Sequence, residues 1–452
     1  MPLERFIPKS PDMFIRNSQD FEVAKFGHLN TIVEYINNNS AKPAGLNGYV
    51  QFNDNNALGG DPGLFWNNII KKLTVTGTTQ FVGNVINYGS GAKTGNTAFG
   101  QNALITNTTG NYNLAIGRDA MVDNTTGGNN TALGAYALSW NTSGNDNTGV
   151  GQGALSVNDT GSKNTAVGYV ALNSNSTGGW NTAIGDQANT FNSTGNYNTS
   201  LGSQALFSNS TGSNNTALGY NSLRTNTASN NTAVGYFAAE ANTSGTGITA
   251  IGYRALRYNT ASNNTAVGFE AGYSNTIGEY NFFVGWKAGF SNTEGAQNSV
   301  LGVEAFFSNT IGTNNVAIGG YSLYSNTIAD NNIAIGDSAL YLNTTGANNT
   351  AIGAGALGDQ TTGSNNTAVG FLSASGNLTG SNNTLLGTGT STGNFSGSVI
   401  IGRDATATAN NQFVVGSTVS PAGTIDTATI TPTQRWKVKI NGVDYYIALQ
   451  PA

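Results

Sequence analysis

A glycine recurs every 17 residues along most of this chain, and that period restricts the possible folds more than any other feature. The glycine ends the phrase Asn-Thr-Ala-(Val/Ile/Leu)-Gly or a close variant of it. A short, strict repeat of this kind indicates one structural unit stacked on copies of itself, which gives a rod rather than a globule with a cleft. The first repeat glycines are Gly100, Gly117, Gly134, Gly151, Gly168, Gly185, Gly202 and Gly219, and the series continues to Gly416.

The residues before each repeat glycine alternate between larger and smaller side chains, as expected for a β-strand with two different faces. In the first unit, Thr97 and Phe99 fall on one face and Ala98 on the other, because side chains alternate along a strand. The first face recurs as Thr with Val, Ile or Leu, and the second as Ala or Gly. Since large apolar side chains need a core, we expect the larger face to line the interior of each coil and the smaller face to meet another chain.

The remainder of each unit contains a second small residue and a turn. We interpret Ala103 and Leu104, which follow the first repeat glycine, as part of a second short strand. Asn107 and Gly110 come next, and this is turn chemistry, since Asn bonds its own backbone and Gly accepts positive φ. A crossover helix needs more room than one unit offers. The sequence therefore predicts an all-β solenoid with very short strands.

The recurrent asparagines have two interpretations. Stacked at one level per coil, their amides can hydrogen-bond along the rod as a ladder. Alternatively, many of them form the Asn-X-Thr/Ser acceptor pattern of N-glycosylation. The ladder is favoured because the same offset recurs in every coil and because the opening segment lacks the pattern of a secretion signal.

The composition excludes several classes of function. Charged residues make up only 9% of the chain and the net charge is −5, which leaves no basic patch for nucleic acid. No stretch approaches the ~20 apolar residues of a membrane span, so we expect no membrane insertion. The chain has no cysteine and a single histidine, His28, so a disulfide framework and a multi-histidine metal site within one chain are excluded. No cofactor motif is satisfied, and we expect no cofactor.

The sequence also lacks a catalytic constellation, so we expect no enzymatic activity. A Ser-His-Asp triad would have to use His28, which falls in a predicted helix. The carboxylates are scattered among turns, and their spacing favours no glycosidase pair. They include Asp119, Asp123, Asp146, Asp159, Asp186 and Asp337.

The repeats resemble the head repeats of trimeric autotransporter adhesins, which run Asn-Ser-Val-Ala-Ile-Gly, then two residues and a small one. Residues 398–416, SVIIGRDATATANNQFVVG, follow that pattern with the 14-residue step of the family. The resemblance covers about residues 92–416. It implies a left-handed parallel β-roll in which three chains lie side by side, each with its small-residue face toward the threefold axis.

The ends differ from that family, since we expect neither the signal peptide nor the membrane barrel of an autotransporter. Residues 48–77, GYVQFNDNNALGGDPGLFWNNIIKKLTVTG, are instead similar to a phrase common near the start of bacteriophage fibre and appendage repeats. Residues 436–449, WKVKINGVDYYIAL, resemble a short hairpin that often closes phage structural proteins. These resemblances imply a phage tail fibre or appendage.

Read physically, the two ends predict a helix and a hairpin. Residues 20–37 are predicted to be helical, with Asp20 as N-cap and a heptad-like apolar seam. We expect this helix either to pack alone on its own domain or to form a short trimeric bundle. Asn441-Gly442 is a type I′ turn signal, and the hairpin around it is predicted to cap the solenoid. The seam consists of Phe26, Leu29, Val33 and Ile36.

Aromatic residues recur at two offsets, where they could pack between neighbouring coils or chains or stack on the sugar rings of a host glycan. Packing is the favoured interpretation. The first set directly follows the repeat glycine and comprises Tyr169, Tyr220, Tyr236, Tyr253, Phe269, Trp286 and Phe371. The second lies two residues past the turn glycine and comprises the candidate glycan-stacking residues Tyr112, Trp180, Tyr197 and Tyr280.

Together these features predict a structural or adhesive protein: a homotrimeric phage tail fibre, carried on the virion, assembled in the host cytoplasm and touching a host surface glycan. Residues 1–45 are predicted to attach it to other tail or baseplate proteins, 46–91 to form a β-rich connector, 92–416 the β-roll shaft, and 417–452 the hairpin cap. The alternative is a tailspike that depolymerises polysaccharide. An ice-binding solenoid and a surface adhesin are less favoured. The argument against ice binding is that the threonines are expected to face inward.

Overall fold

The structure is a computed structural model that describes residues 95–417 in full and, outside them, only the backbone of the terminal strands. Residues 95–417 form an all-β parallel solenoid of about 19 turns with one continuous sheet, and no helix occurs within that range. The predicted β-solenoid is therefore confirmed.

Each coil contributes one three-residue strand, which ends at the residue before the repeat glycine. Before the solenoid lie β1 (Phe14–Arg16), β2 (Val23–Lys25), β3 (Tyr49–Asp54), β4 (Ala57–Asn67), β5 (Lys72–Val75), β6 (Gln80–Phe81) and β7 (Asn84–Asn87). The solenoid strands are β8 (Thr97–Phe99), β9 (Leu114–Ile116), β10 (Thr131–Leu133), β11 (Thr148–Val150), β12 (Thr165–Val167), β13 (Thr182–Ile184), β14 (Thr199–Leu201), β15 (Thr216–Leu218), β16 (Thr232–Val234), β17 (Thr249–Ile251), β18 (Thr265–Val267), β19 (Phe282–Val284), β20 (Ser299–Leu301), β21 (Val316–Ile318), β22 (Ile333–Ile335), β23 (Thr350–Ile352), β24 (Thr367–Val369), β25 (Thr384–Leu386), β26 (Val399–Ile401) and β27 (Phe413–Val415). The last two strands are β28 (Arg435–Ile440) and β29 (Val443–Ala448).

The solenoid strands pair in parallel with no shift of register. In β10 and β11, for example, Thr131 lies beside Thr148 and Leu133 beside Val150. Because every pairing repeats this alignment, residues at one offset from the repeat glycine form a column along the rod. At ~4.8 Å per strand, the pairings from β8 to β27 give a rod about 90 Å long.

The burial of the strand residues is the reverse of the sequence-based expectation. The central residue of every solenoid strand except β27 is buried. In β10, Ala132 is fully buried, whereas Leu133 beside it is 44% exposed. We call the central residues the strand alanines. A Cβ atom added to the equivalent Gly149 would lie 3.5 Å from Cγ of Leu138, so the strand centre faces a leucine across the narrow interior of the coil. The small residues therefore line the coil, and the larger Thr/Val/Ile/Leu face points outward.

The predicted second strand is also wrong, because the residues after the repeat glycine form turns. The Ala103 N–H donates to the Gly100 carbonyl at 3.3 Å, and the Asn107 N–H donates to the Leu104 carbonyl. Asn102 and Leu104 have positive φ angles of 56° and 54°, which an extended strand does not contain. This bend directs Leu104 into the interior, where it is fully buried. We call the residues in this column the inner leucines.

The repeat glycine is required for two separate reasons. Gly100 has a φ of +139°, a region that side chains with a Cβ atom rarely adopt. A Cβ atom at Gly100 would also lie 2.6 Å from the carbonyl carbon of Gly117 in the next coil. The spacing between coils therefore leaves no space for any side chain in this column.

The asparagine ladder predicted from the sequence is confirmed, and it is buried. The Asn124 Nδ2 atom donates to Oδ1 of Asn107 at 3.0 Å and to the Gly127 carbonyl at 3.0 Å. A second ladder, which we did not predict, uses the asparagine that opens each phrase. There the Asn113 backbone N–H donates to Oδ1 of Asn96 at 2.8 Å. These fully enclosed amides are not accessible for attachment of a glycan.

Strands outside the solenoid bear on the predictions for the two ends. Strand β7 pairs antiparallel with β8, so the first edge of the parallel sheet is covered. Strand β2 lies within the predicted helix 20–37 and pairs antiparallel with β1, so Val23–Lys25 is extended rather than helical. The seam residues Phe26, Leu29, Val33 and Ile36 lie outside the described residues. Strands β28 and β29 pair as a hairpin in a sheet of their own, and its role as a cap stays a prediction.

Candidate binding surfaces

The outward side of the parallel sheet is a continuous apolar stripe, which we call the sheet face. It consists of the first and third residues of strands β8–β27. The third residue is aliphatic in every one of these strands except β8, which has Phe99. Leu201 is 44% exposed and Leu386 is 51% exposed. The stripe is about 90 Å long. Monomeric proteins rarely leave so extensive a contiguous apolar surface open to water, so this face is the first candidate for a contact with another molecule.

The first strand residue adds a row of threonines to the same face. These threonines alternate with the buried strand alanines and so point outward, which corrects our expectation that they face inward. The row is uninterrupted from β10 to β18. It comprises Thr131, Thr148, Thr165, Thr182, Thr199, Thr216, Thr232, Thr249 and Thr265.

The four candidate glycan-stacking aromatics lie in one column at the turn that precedes each strand. All are exposed, from 50% for Trp180 to 66% for Tyr112, and all have a positive φ near 57°. Trp180 and Tyr197 belong to adjacent coils and stack on each other, with centroids 5.2 Å apart. Lys163 lies 5.0 Å from the Trp180 ring. Tyr112 and Tyr280 lie several coils away on either side, so the structure brings together only the central pair.

Five of the seven aromatics that directly follow the repeat glycine pack between coils, as the favoured interpretation predicted, whereas Tyr169 and Phe371 are 50% and 56% exposed. Tyr220 stacks on Tyr236 at 5.3 Å, and Tyr236 on Tyr253 at 5.5 Å. The column continues through Phe269 to Trp286. Because each ring face is covered by its neighbour, the rings present mainly their edges to solvent.

A second stacked column was missed in the sequence, although its signal was present there. Five residues after the repeat glycine, five successive coils carry an aromatic ring, and neighbouring centroids lie 5.1 to 5.2 Å apart. Burial raises the pKa of the Tyr324 hydroxyl, and the charge of Glu304 adds to this effect. The members are Tyr273, Phe290, Phe307, Tyr324 and Tyr341.

Charged side chains lie between the two ring columns and pair along the rod. The Glu270 carboxylate forms ion pairs with Arg254 at 3.6 Å and with Lys287 at 4.0 Å. The Lys287 ammonium also lies 4.6 Å from the Trp286 ring centroid. The rings and charged groups of these central coils therefore contact one another, and we assign them to the stability of the solenoid.

A further surface contains Trp140, a residue that our sequence analysis did not single out. It lies six residues after its repeat glycine, is 57% exposed and lines a groove between coils together with Asp123 and Asp159. The sequence feature that could have identified this surface is an isolated tryptophan, Trp140, with the carboxylate Asp123 at the same position of the preceding coil.

Within residues 95–417, no cluster of histidine, cysteine or carboxylate side chains could hold a metal ion. A search of the same residues for a helix long and apolar enough to cross a membrane found none. Neither the known protein-family models nor the curated proteins gave a match to this chain.

Proposed function

We propose that this chain forms the rigid shaft of a homotrimeric phage tail fibre or appendage, in which three copies bury their sheet faces against one another. The observation that carries the proposal is the unbroken aliphatic column from Ile116 to Val415 on the outward side of the sheet. The trimer and its left-handed coils follow the resemblance to trimeric adhesin heads.

The contact between chains must differ from the one that the sequence implied. The strand alanines are buried inside each coil, so the small-residue face cannot lie on the threefold axis. The sheet face takes its place. Burying the remaining exposed area of its aliphatic side chains, at ~25 cal/mol per Å², stabilises the assembly by an amount on the order of tens of kcal/mol per chain, before the entropic cost of association is subtracted.

The architecture fits a spacer that carries binding sites away from the virion. In this proposal, residues 1–45 attach the fibre to tail or baseplate proteins after assembly in the host cytoplasm, and the shaft contacts a glycan of the host surface. The function requires no reaction. Three copies of each site lie on one rod, so individually weak contacts act together.

The mass of the full-length protein in solution tests this proposal. One chain has a mass of 46.5 kDa, and light scattering should give three times that value. Replacing Leu201 and Ile251 on the sheet face by lysine should yield monomers, because a trimer would bury six charges. Thr211→Lys, at an exposed turn, is the matched control and should remain trimeric. A monomeric unmodified protein would overturn the proposal.

An ice-binding solenoid is a second candidate, because the nine consecutive threonines from Thr131 to Thr265 point outward on a regular sheet. This candidate needs an open sheet face, whereas the trimer needs a buried one. The aliphatic column continues into coils that lack threonine, such as β21 and β22, and this favours the trimer. Thermal hysteresis in a monomeric sample would favour ice binding.

The depolymerising tailspike and the surface adhesin remain alternatives for the assembled fibre. Incubation of the full-length protein with purified capsule or lipopolysaccharide distinguishes them. Release of oligosaccharides would support a depolymerase, while attachment without release from several host strains would support adhesion alone.

A further inference from the structure

A groove crosses neighbouring coils on the side of the rod remote from the sheet face. Its volume is about 480 Å³, and Trp140, Val157, Asp123 and Asp159 contribute to its lining. These residues lie six or eight residues after their repeat glycines, on either side of the first asparagine ladder. Because the ladder asparagines point inward, the flanking side chains point outward.

The backbone beneath the groove is held on both sides by neighbouring coils. The Trp140 N–H donates to the Ser156 carbonyl at 2.8 Å, and the Asp123 N–H donates to the Ser139 carbonyl at 2.8 Å. The next residue, Asn141, is buried and donates from Nδ2 to Oδ1 of Asn124 at 2.7 Å. The exposed indole therefore stands on a rigid support, and little backbone freedom is lost when a ligand binds.

The polar side chains that line the groove are the carboxylates of Asp123 and Asp159 and the hydroxyls of Thr106, Thr125 and Thr142. Asp123 precedes Trp140 by one coil, and Asp159 belongs to the coil after it. The Thr142 hydroxyl donates to a carboxylate oxygen of Asp159, which orients that group. No basic residue lines the groove, and within residues 95–417 no ion pair involves Asp123 or Asp159.

We infer that this groove binds a neutral sugar unit of a surface glycan, with an apolar face of the pyranose ring against Trp140 and hydroxyl groups donating to Asp123 and Asp159. A hydroxyl-rich ring with one apolar face matches an exposed indole between two acceptors. Two carboxylates disfavour an anionic sugar. A quaternary ammonium group is recognised by a cage of several aromatic rings, whereas Trp140 is the only aromatic residue of the groove.

The groove stays open in the proposed trimer. Trp140 lies seven residues after Leu133, the end of β10, and eight residues before Thr148, the start of β11, which is half a coil from the sheet face in either direction. Three copies would be presented around the shaft, so weak individual binding gains from avidity. The inference deepens the proposed function, on which its biological role rests, because it names the class of surface component.

Tryptophan fluorescence and calorimetry on the full-length protein test the inference. The probes are neutral hexose and N-acetylhexosamine oligosaccharides of two to six units, sialylated oligosaccharides, and tetramethylammonium. We expect saturable binding of at least one neutral probe. Trp140→Ala should weaken it by about tenfold or more, as loss of a central aromatic contact does, while Trp140→Phe should retain part of the affinity. Asp123→Asn should weaken it severalfold.

Phe191→Ala is the control, because Phe191 is an exposed aromatic residue at the same offset three coils further along and does not line the groove. It should leave the affinity unchanged, and thermal melting of each variant should show that the solenoid is folded. No saturable binding of any neutral probe, binding unaffected by Trp140→Ala, or preference for the sialylated or ammonium probe would each overturn the inference. A trimer without sugar binding refutes this site alone, whereas a sugar-binding monomer refutes the proposed shaft alone.

Discussion

Phe283 occupies the space in which a side chain at Gly272 would lie: a Cβ atom added to Gly272 would be 2.7 Å from Cδ2 of the Phe283 ring. Phe283 stands in the column of strand alanines, and Gly272 stands in the column of inner leucines. Gly289, six residues after Phe283 in the same coil, is crowded by the same ring. The large Phe283 side chain in the column of strand alanines is thus accommodated because two residues in the column of inner leucines, Gly272 and Gly289, have no side chain.

Substitutions that change side-chain size at Phe283, Gly272 and Gly289 should have strongly non-additive effects on stability. Gly289→Leu alone should destabilise the solenoid by about 1–3 kcal/mol or more, because the new side chain overlaps the Phe283 ring. Phe283→Ala alone should cost about 3–5 kcal/mol through the cavity that it leaves. The triple variant Phe283→Ala/Gly272→Leu/Gly289→Leu recreates the composition of other coils and should recover most of the loss. Melting temperatures test this, and a triple variant no more stable than the worse single one would contradict it.

Replacing Asn189 by leucine should stabilise the protein. Asn189 stands in the column of inner leucines, is fully buried, and neither its Nδ2 nor its Oδ1 has a hydrogen-bond partner. A buried polar group without a partner costs about 1–3 kcal/mol, and leucine is accommodated in the same column at Leu172 and Leu206. Asn189→Leu should therefore raise the melting temperature, and the reciprocal control Leu172→Asn should lower it. An unchanged or lower melting temperature for Asn189→Leu would show that the amide is satisfied in solution.

Alanine at a repeat glycine should be far more damaging than alanine at an exposed glycine with positive φ. A Cβ atom at Gly168 would lie 2.6 Å from the carbonyl carbon of Gly185, and φ there is +138°. Gly376 also has a positive φ, +73°, but a Cβ atom would meet nothing within 4 Å. Gly376→Ala should cost about 1–2 kcal/mol for its backbone conformation alone. Gly168→Ala should cost more, and denaturant unfolding that finds the two variants equal would contradict the steric argument.

The asparagine ladder should tolerate glutamine better than alanine. Asn141→Ala removes three buried hydrogen bonds: two that Asn141 donates, to Asn124 Oδ1 and to the Gly144 carbonyl, and one that it accepts from Asn158 Nδ2. It leaves Asn124 Oδ1 unpaired, at about 1–3 kcal/mol, whereas the Gly144 carbonyl still accepts from Asn130. Glutamine occurs naturally in this column as Gln360, whose Nε2 donates to the Gly363 carbonyl at 2.7 Å. Asn141→Gln should therefore lie between the unmodified protein and Asn141→Ala in thermal stability, and hydrogen exchange should locate the loss in the adjacent coils. Equal stability of the two variants would argue against the ladder as a stabilising element.

The repeat period was sufficient to predict the solenoid, and the offset of Asn107 was sufficient to predict the asparagine ladder, although not its burial. Other features could not be obtained in this way. Ala103 and Leu104 look like parts of a strand in the sequence, because nothing in the chemistry of Leu104 indicates a left-handed backbone. Trp140 and the column from Tyr273 to Tyr341 are visible as recurring or isolated aromatics, but whether a ring is covered by its neighbour or open to a ligand depends on the coils stacked around it.

The sequence by itself determined that identical coils stack in register, because glycine at every seventeenth position and asparagine at a constant offset are compatible only with a repeated, closely spaced backbone. The tertiary structure alone decided which side of each strand is inside. The alternation of side chains along a strand places Ala132 and Leu133 on opposite faces, but it does not say which face points into the coil. The inner leucine Leu138 fills the interior of the coil and leaves room opposite it only for an alanine, so the larger side chains are turned outward.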